Sequence, residues 1–286
     1  MFTYLAPAKI NLALEVLGRR DDGYHEIRSL VQTISLCDVV SFELADMVSL
    51  ECSQPTLQTS SNLVVKAAEL LREVGGYQKG VRIKLEKKIP WDAGFGGGSS
   101  DGAITLLALN KLWGLKFMTF DLVKLAASLG SDVPFFIHGG AALIEGRGEK
   151  VTPLAASMQS WFVLLMPPLP KIARKTQQLY SRLEARHFTD GKFVDKAMRN
   201  YSRDKKIAPS LFFNVFDNVA LDAFPGLKDY WRCFEGAGAE NIHLVGSGPA
   251  LFAPADDEAE AEGVRSLLSQ QGLEAYSVST VVPQVV

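Results

Sequence analysis

A glycine-rich stretch, "DAGFGGGSSDG" at residues 92–102, holds the residue types that most directly suggest chemistry. Glycine lets bare backbone approach an anion closely and direct successive N–H groups at phosphate oxygens. The serine hydroxyls that follow can donate to phosphate or ligate Mg²⁺. The stretch therefore predicts a phosphate-binding loop, whose residues are Gly94, Gly96, Gly97, Gly98, Ser99 and Ser100.

Two other glycine-containing motifs are alternatives for the same stretch. A Walker A loop requires lysine after its last glycine, but Ser99 follows Gly98, so that loop is absent. Residues 98–102 do match the G-x-S-x-G pattern of a hydrolase nucleophile elbow, and histidines are available downstream. That elbow needs a tight turn directly after a strand, whereas the preceding strand pattern ends near Ile89, about ten residues before Ser100. A hydrolase with Ser100 as nucleophile stays open as an alternative.

The segments beside this stretch predict a strand before it and a helix after it. Residues 80–89 alternate apolar and polar side chains, as a half-buried strand does, and residues 99–115 have apolar side chains at helical spacing. A helix N-terminus carries unpaired N–H groups and a partial positive charge, which attract anions. Another helix is predicted over 62–76, with Ser61 or Asn62 as its N-cap and glycine at its end.

The rest of the chain mixes strands and helices. Residues 2–18 predict a strand, a turn and a second strand, and residues 161–168 predict a buried strand. Helical spacing in residues 220–236 is broken at Pro225 and Gly226. The chain then ends as strand, strand, helix and strand, with that helix over 257–272.

The order of these elements predicts the fold class. Because strands and helices interleave without a regular βαβ cadence, the sequence favours an α+β fold over a doubly wound sheet. A division near residue 155 predicts two domains, 1–154 and 155–286. The mostly polar stretch within 185–215 predicts a mobile surface segment.

The composition excludes several classes of protein. The chain of 286 residues is 47% hydrophobic and 22% charged with a formal net charge of -2, so it lacks the basic excess of a nucleic-acid binder. Its three cysteines form no CxxC pair, and its apolar runs are too short to span a bilayer. With no signal peptide before the first patterned segment, the sequence predicts a cytoplasmic protein with no membrane partner. A monomer and a homodimer both stay open.

Three stretches together resemble the signature regions of the GHMP kinase superfamily. They are "PAKINLALEVLGRRDDGYHEIRSL" at 7–30, "IPWDAGFGGGSSDG" at 89–102 and "LVGSGPALFA" at 244–253. "PAKINL" followed by "DGYH" is similar to the branch of that superfamily that acts on cytidine-diphosphate-linked methylerythritol. The resemblance covers most of the chain. It implies a two-domain GHMP kinase fold, with an ATP-binding domain, a substrate-binding domain and the active site in the cleft between them.

The resemblance also implies a reaction and its catalytic residues. The γ-phosphate of ATP would pass to the 2-hydroxyl of the cytidine-diphosphate-linked methylerythritol, in the non-mevalonate route to isoprenoids. Asp132, in "GSDVPFF", would be the base that orients the hydroxyl, with Lys9 of "PAKIN" beside it. A nearby cation lowers the pKa of a carboxylate and keeps it charged.

For the nucleotide, the resemblance implies that Gly94 to Ser100 wrap the ATP phosphates, with Mg²⁺ bound along with ATP near Ser99 or Ser100. Asn62 and Lys87 match positions near the nucleotide, although a helix cap and a strand-end charge explain them nearly as well. For the acceptor, the resemblance implies a second set of residues. They are Asn11, Tyr24, His25, Thr176, Tyr180 and Gly246, with Tyr24 and Tyr180 on opposite faces of the pyrimidine.

Four positions depart from the pattern of the superfamily: Trp91 and Asp92 stand where small residues are usual, Phe95 where leucine is usual and Gly102 where alanine is usual. An acid beside a triphosphate is repelled unless it points away or meets Mg²⁺ or a lysine. Two further alternatives stay open. A kinase for another small alcohol would not need the aromatic pyrimidine site, and a nucleotide-binding protein without catalysis would not need both Lys9 and Asp132.

Overall fold

The computed structural model of the protein describes residues 1–282; residues 283–286, the end of the second predicted domain, lie outside the described residues. The strands within 1–282 are β1 (Phe2–Arg19), β2 (His25–Ala45), β3 (Ser49–Cys52), β4 (Gly80–Glu86), β5 (Ala141–Gly146), β6 (Lys150–Pro153), β7 (Trp161–Met166), β8 (Phe213–Asn214), β9 (His243–Leu244), β10 (Leu251–Ala255) and β11 (Glu274–Ser279). The helices within the same range are α1 (Leu63–Gly75), α2 (Gly97–Leu112), α3 (Thr119–Leu129), α4 (Val133–His138), α5 (Lys175–Arg182), α6 (Lys192–Asp204), α7 (Asp217–Ala223), α8 (Leu227–Gly236) and α9 (Glu258–Gln270).

A seven-stranded sheet contains β1 to β6, all from the first half of the chain or just beyond it, and the short strand β8. Its strands follow the order β3-β4-β2-β1-β8, and β5 pairs with β2 and with β6. β1 and β2 are antiparallel along almost their whole length, whereas β8 is parallel to β1. A four-stranded antiparallel sheet, in the order β11-β7-β10-β9, holds the second half. One mixed and one antiparallel sheet with interspersed helices confirm the predicted α+β class, while the division near residue 155 stays a prediction.

The prediction of a strand, a turn and a second strand at the N-terminus is wrong. β1 is one continuous strand, and its register against β2 shifts between Pro7 and Ala8, between Asn11 and Ala13 and between Val16 and Gly18. Such bulges absorb an extra residue without ending the strand. Lys9 and Asn11, two residues apart, therefore stay on one face of the sheet.

The helices of the first half pack on one face of the large sheet. α1 begins at Leu63 after its N-cap Asn62, as predicted, and α2 begins at Gly97, two residues before the predicted start. Ala67, Leu71 and Leu106 are fully buried in the core that these helices share with the sheet. This packing fixes the position of the N-terminus of α2, which lies within the glycine stretch.

A separate core joins the two sheets. It contains Ile10 of β1, Phe95 of the glycine stretch, Phe162 of β7 and Phe252 of β10, all of them buried. Phe95 thus fills this core at the position where the superfamily has leucine. β1 consequently lies at the centre of the molecule, between the large sheet and the second sheet.

The stretch within 185–215 is more than the polar surface segment that the sequence predicted. Its residues Lys192–Asp204 form α6, which buries Val194, Ala197 and Tyr201 against β1 and its neighbours. These three residues recur at intervals of three and four, so the helix is amphipathic. Among residues 1–282, no helix combines the length and the apolar character that crossing a membrane requires.

Candidate active site

β1 places Lys9 and Asn11 side by side at the centre of the molecule. The Lys9 ammonium donates to Asn11 Oδ1 at 2.7 Å, and Asn11 Nδ2 donates to Ser29 Oγ at 2.8 Å. Burial lowers the pKa of Lys9 below its usual 10.5, and the carboxylate of Asp132 partly opposes that shift. Asn11, predicted to bind the acceptor, thus also fixes the Lys9 side chain.

Asp132 faces the same space as Lys9. It lies directly before α4 and is exposed to a cavity of about 240 Å³ that Lys9 also lines. In the described part of the chain, no ion pair joins the two side chains. Further predicted residues that line this cavity are Asn11, Gly94, Gly96, Thr176, Tyr180 and Gly246. The structure therefore brings the predicted catalytic pair and much of the predicted acceptor set to one space.

The glycine stretch separates this cavity from a second one. Lys9 N–H donates to the carbonyl oxygen of Phe95 at 2.9 Å, which fastens the stretch to β1. Gly96, with φ 72°, is the N-cap of α2, a left-handed conformation that favours glycine. The second cavity, of about 350 Å³, has the following predicted residues in its wall: Asn62, Lys87, Gly94, Gly96, Gly97, Gly98 and Ser99. The first turn of α2 thus presents its unpaired N–H groups to an open space.

The two serines of the stretch point in different directions. Ser99 lines the second cavity, whereas Ser100 is fully buried, and its hydroxyl has no hydrogen-bond partner among the described residues. Ser99 is therefore the better placed of the two for a phosphate oxygen or Mg²⁺. A buried Ser100 is no exposed nucleophile, and β4 already ends at Glu86, so the geometry disfavours the hydrolase alternative.

Lys87 lies in a buried group of charges beneath the first turn of α2. Its ammonium pairs with Asp38 and, at 2.8 Å, with Asp101, and all three side chains are almost fully buried. Asp38 also accepts from the backbone N–H of Ile89 at 2.8 Å. Burial raises the pKa of Asp101 to about 7, and the Lys87 ammonium opposes that rise. Lys87 thus binds two carboxylates of the protein while it lines the second cavity.

Asn62 also makes local contacts. Its side-chain oxygen accepts from the Val64 N–H at 3.0 Å, and its side-chain nitrogen donates to the carbonyl oxygen of Leu57 at 2.9 Å. The residue is therefore a helix cap that stands in the wall of the second cavity. A nucleotide-binding role for Asn62 and Lys87 stays a prediction.

Two of the predicted acceptor residues, His25 and Tyr180, form an aromatic group with Phe216, and Tyr180 and Phe216 line the first cavity. The His25 ring stacks on Tyr180 with 4.7 Å between centroids, and Tyr180 meets Phe216 edge-on at 4.9 Å. Burial lowers the pKa of His25, which favours the neutral imidazole, and its buried Nε2 has no partner among the described residues. Tyr24 is exposed instead, with the Arg147 guanidinium over its ring. The structure brings His25 and Tyr180 together but sets Tyr24 apart from them.

A second glycine turn, residues 246–248, forms the wall of the first cavity opposite the glycine stretch. A Cβ atom on Gly246 would lie 3.0 Å from Lys9 Nζ, so this backbone runs directly beside the ammonium. Thr176 Oγ1 lies 2.9 Å from Ser247 Oγ, which links α5 to the same turn. A Cβ atom on Gly94 would lie 1.9 Å from the carbonyl oxygen of Val245, so the two glycine turns are in contact.

Comparison with known proteins identifies the family. The models of the GHMP kinases N terminal domain and of the GHMP kinases C terminal domain match residues 62–140 and 196–273. A 4-diphosphocytidyl-2-C-methyl-D-erythritol kinase of Dehalococcoides mccartyi is 47% identical over 283 residues, which cover 99% of each chain. The chain belongs to the GHMP kinase family, in its 4-diphosphocytidyl-2-C-methyl-D-erythritol kinase branch. A kinase of the same name from Brevibacillus brevis is 35% identical and covers 92% of this chain and 90% of its own.

Solved structures of the family agree with this assignment. A crystal structure of 4-(cytidine 5'-diphospho)-2C-methyl-D-erythritol kinase matches with a TM-score of 0.84 at 34% identity, over 99% of this chain and 100% of that chain. A homoserine kinase from Cytophaga hutchinsonii matches with a TM-score of 0.72 at 17% identity, over 98% of this chain and 94% of that chain, and so shares the fold. The predicted GHMP kinase fold and family membership are confirmed.

Several residues that shape the site were missed from the sequence. Asn214 is buried and donates to the carbonyl oxygens of Leu244 and Gly246, so it supports the second glycine turn. Its stretch, residues 212–218, has no clear period. Lys175 was missed as well, although the acid at Asp92 was a signal for a nearby cation: the two side chains lie 3.6 Å apart.

Proposed function

We propose that this protein transfers the γ-phosphate of ATP to the 2-hydroxyl of 4-diphosphocytidyl-2-C-methyl-D-erythritol and releases ADP. Its relatives at 47% and 35% identity carry the name of that kinase. The observation in this chain that supports the proposal most is the placement of Lys9 and Asp132. Both line one cavity, whose other walls are two glycine turns and the N-terminus of a helix.

Phosphoryl transfer needs positioning and charge stabilisation more than covalent chemistry. In the proposed reaction, Asp132 accepts the proton of the 2-hydroxyl while that oxygen forms its bond to the γ-phosphorus. The bond from this phosphorus to the β-γ bridging oxygen breaks, and ADP leaves with the bonding pair. The Lys9 ammonium offsets the negative charge that the moving phosphoryl group carries.

The nucleotide phosphates would lie against the first turn of α2. Its N–H groups and helix dipole favour an anion there, and the exposed backbone at Gly98 leaves room for one. Within residues 1–282, no cluster of three or more His, Cys, Asp or Glu side chains could hold a metal ion. Mg²⁺ would therefore be held mainly by phosphate and water, and the Ser99 hydroxyl, which lines the second cavity, would be the protein ligand.

The acceptor would be held by its cytosine ring. A pyrimidine requires a stacking surface and hydrogen bonds to its edge, and the His25–Tyr180 pair offers an aromatic surface with the unpartnered Nε2 of His25 at its side. A kinase for another small alcohol would have no use for this arrangement. The cytoplasmic location and the monomeric or homodimeric state both stay predictions.

Coupled ADP release, measured with Mg²⁺-ATP and 4-diphosphocytidyl-2-C-methyl-D-erythritol, tests the proposal. We expect acceptor-dependent turnover that falls by at least about 10²-fold in Asp132→Ala, as removal of a general base does, with ATP affinity retained. Asp195→Ala is a matched control, because Asp195 lies on α6 in a surface ion pair with Arg28. Absence of turnover with this acceptor, while ATP still binds, would refute the substrate assignment. Full activity of Asp132→Ala would refute the role of that carboxylate.

A further inference from the structure

Lys175 is a buried lysine that touches two loops of the active site. It is the first residue of α5, and only 5% of its side chain is exposed. Its ammonium donates to the carbonyl oxygen of Asp92 at 2.6 Å and to the carbonyl oxygen of Gly248. Asp92 is the first residue of the glycine stretch, whereas Gly248 ends the second glycine turn. One ammonium therefore joins the two backbone walls of the first cavity.

Asp92 adds a charge to this contact. Its carboxylate lies 3.6 Å from the same ammonium, and its backbone has φ 61°, a left-handed conformation that non-glycine residues rarely adopt. An acid in a strained position beside a phosphate site needs compensation, and Lys175 supplies it. The Asp92 carboxylate and the buried Lys175 ammonium thus compensate each other's charge.

Neighbouring contacts connect the Asp92–Lys175 pair to the shape of the first cavity. Thr176, the next residue of α5, contacts Ser247 of the second glycine turn. Gly94 packs so closely on the carbonyl oxygen of Val245 that only glycine fits there. A shift of one loop against the other would therefore change the space between Gly94 and Gly246, in which Lys9 Nζ lies.

We propose that Lys175 is a positioning residue of the phosphoryl-transfer site, which fastens residues 92–96 to residues 246–248 and so sets the width of the first cavity beside Lys9. The kinetic test of this inference rests on the proposed function, whereas a second test on the protein without ligands does not. The competing explanation is that Lys175 only neutralises Asp92.

The test without ligands is amide hydrogen exchange on the wild type and on Lys175→Met, which keeps the length of the side chain and removes its charge. We expect faster exchange in peptides that cover 92–98 and 244–250, because both loops lose a shared donor. The matched control is Lys171→Met: Lys171 belongs to the same segment, contacts the ring of Trp91 and touches neither loop carbonyl. Unchanged exchange in Lys175→Met, or an equal change in Lys171→Met, would overturn the proposal.

The kinetic test compares the KM for ATP with the KM for the acceptor. Because residues 92–96 also line the second cavity, where the ATP phosphates would lie, we expect Lys175→Met to raise the KM for ATP by roughly 10-fold, equivalent to about one charge-assisted hydrogen bond. The KM for the acceptor should change less, because Tyr180 and Phe216 line the same cavity as Lys175 but take no part in the contact between the two loops. A rise confined to the acceptor KM would overturn the proposal. If the wild type shows no turnover at all, ATP affinity by calorimetry gives the same comparison, and the proposed function fails separately.

The double variant Asp92→Gly, Lys175→Met distinguishes the two explanations. Glycine suits φ 61° and removes the unpaired carboxylate, but the carbonyl oxygens of residues 92 and 248 still lack their donor. We expect the double variant to recover only part of the ATP affinity. Full recovery would mean that Lys175 merely neutralises Asp92, and the positioning role would be refuted.

Discussion

Replacing Gly98 with alanine tests whether the glycine stretch serves the fold or the nucleotide. Gly98 is the second residue of α2, is exposed and has an ordinary helical φ. A Cβ atom placed there would meet nothing closer than Leu63 Cδ1, at 4.0 Å. The fold therefore has no need of glycine at this position, in contrast to Gly94, where the added atom would lie 1.9 Å from a carbonyl oxygen.

The expected effects on stability and on binding have opposite signs. Alanine in a helix is favoured over glycine by about 0.5–1 kcal/mol, so Gly98→Ala should raise the free energy of unfolding by that amount and Tm by about 1–3 °C. A methyl group on the first turn of α2 would displace a phosphate that lies against bare backbone. We expect ATP affinity to fall roughly 10-fold, the loss of about one charge-assisted hydrogen bond.

Thermal unfolding with and without Mg²⁺-ATP measures both quantities. ATP at 100 times its Kd stabilises the folded protein by about 2.7 kcal/mol, and a tenfold weaker Kd leaves about 1.4 kcal/mol, so the ATP-induced shift should halve. Gly263→Ala is the control, because Gly263 also lies within a helix, α9, with open space around its Cα. It should gain the same stability with an unchanged ATP shift. An undiminished ATP shift in Gly98→Ala would refute a phosphate at this turn, and a loss of stability would refute the packing argument.

Three further predictions follow from the same contacts. Burial raises the pKa of Asp101, so the folded protein keeps a proton there that the unfolded chain has lost; the free energy of unfolding should therefore fall as the pH rises from 5.5 to 7.5, and should fall less in Asp101→Asn, as denaturant unfolding at both pH values measures. Tyr180→Leu removes the stacking partner of His25 and should raise the KM for the acceptor about 3- to 10-fold with the KM for ATP unchanged, in the coupled assay. Asn62→Ala removes the cap of α1 and should lower the free energy of unfolding by about 1 kcal/mol, while Asn62→Asp, which keeps the acceptor oxygen, should lose less.

The sequence predicts best those features that depend on neighbouring residues. The cap and end of α1, the strand β4 and the helix that follows the glycine stretch all have local signals, and the structure contains each of them. Local chemistry also explains the break between α7 and α8 at Pro225 and Gly226. The family resemblance supplied Lys9 and Asp132, which no spacing rule would have joined.

The features that the sequence did not predict depend on contacts between distant parts of the chain. A proline in "LAPAKINL" suggests a turn, yet long pairing with β2 carries β1 past it with a bulge. The polar composition of α6 conceals an apolar face that is visible only once its partner on β1 is known. In the same way, Lys175 and Asp92 are 83 positions apart, and no local pattern connects them.

The central position of β1 has a consequence for the synthesis of the protein. β1 pairs with β8 through Ala13 and Phe213, which are 200 residues apart, and Lys9 lies beside the turn at Gly246. Lys9 is translated 237 residues before Gly246 (246 − 9), so the walls around it are complete only after all of the intervening chain has been made. Until then, the buried face of β1, with Ala8 and Ile10, has no second sheet to cover it. A nascent chain would thus expose apolar strand surface until the second sheet is made, and its active site would form only after the turn at Gly246 has emerged.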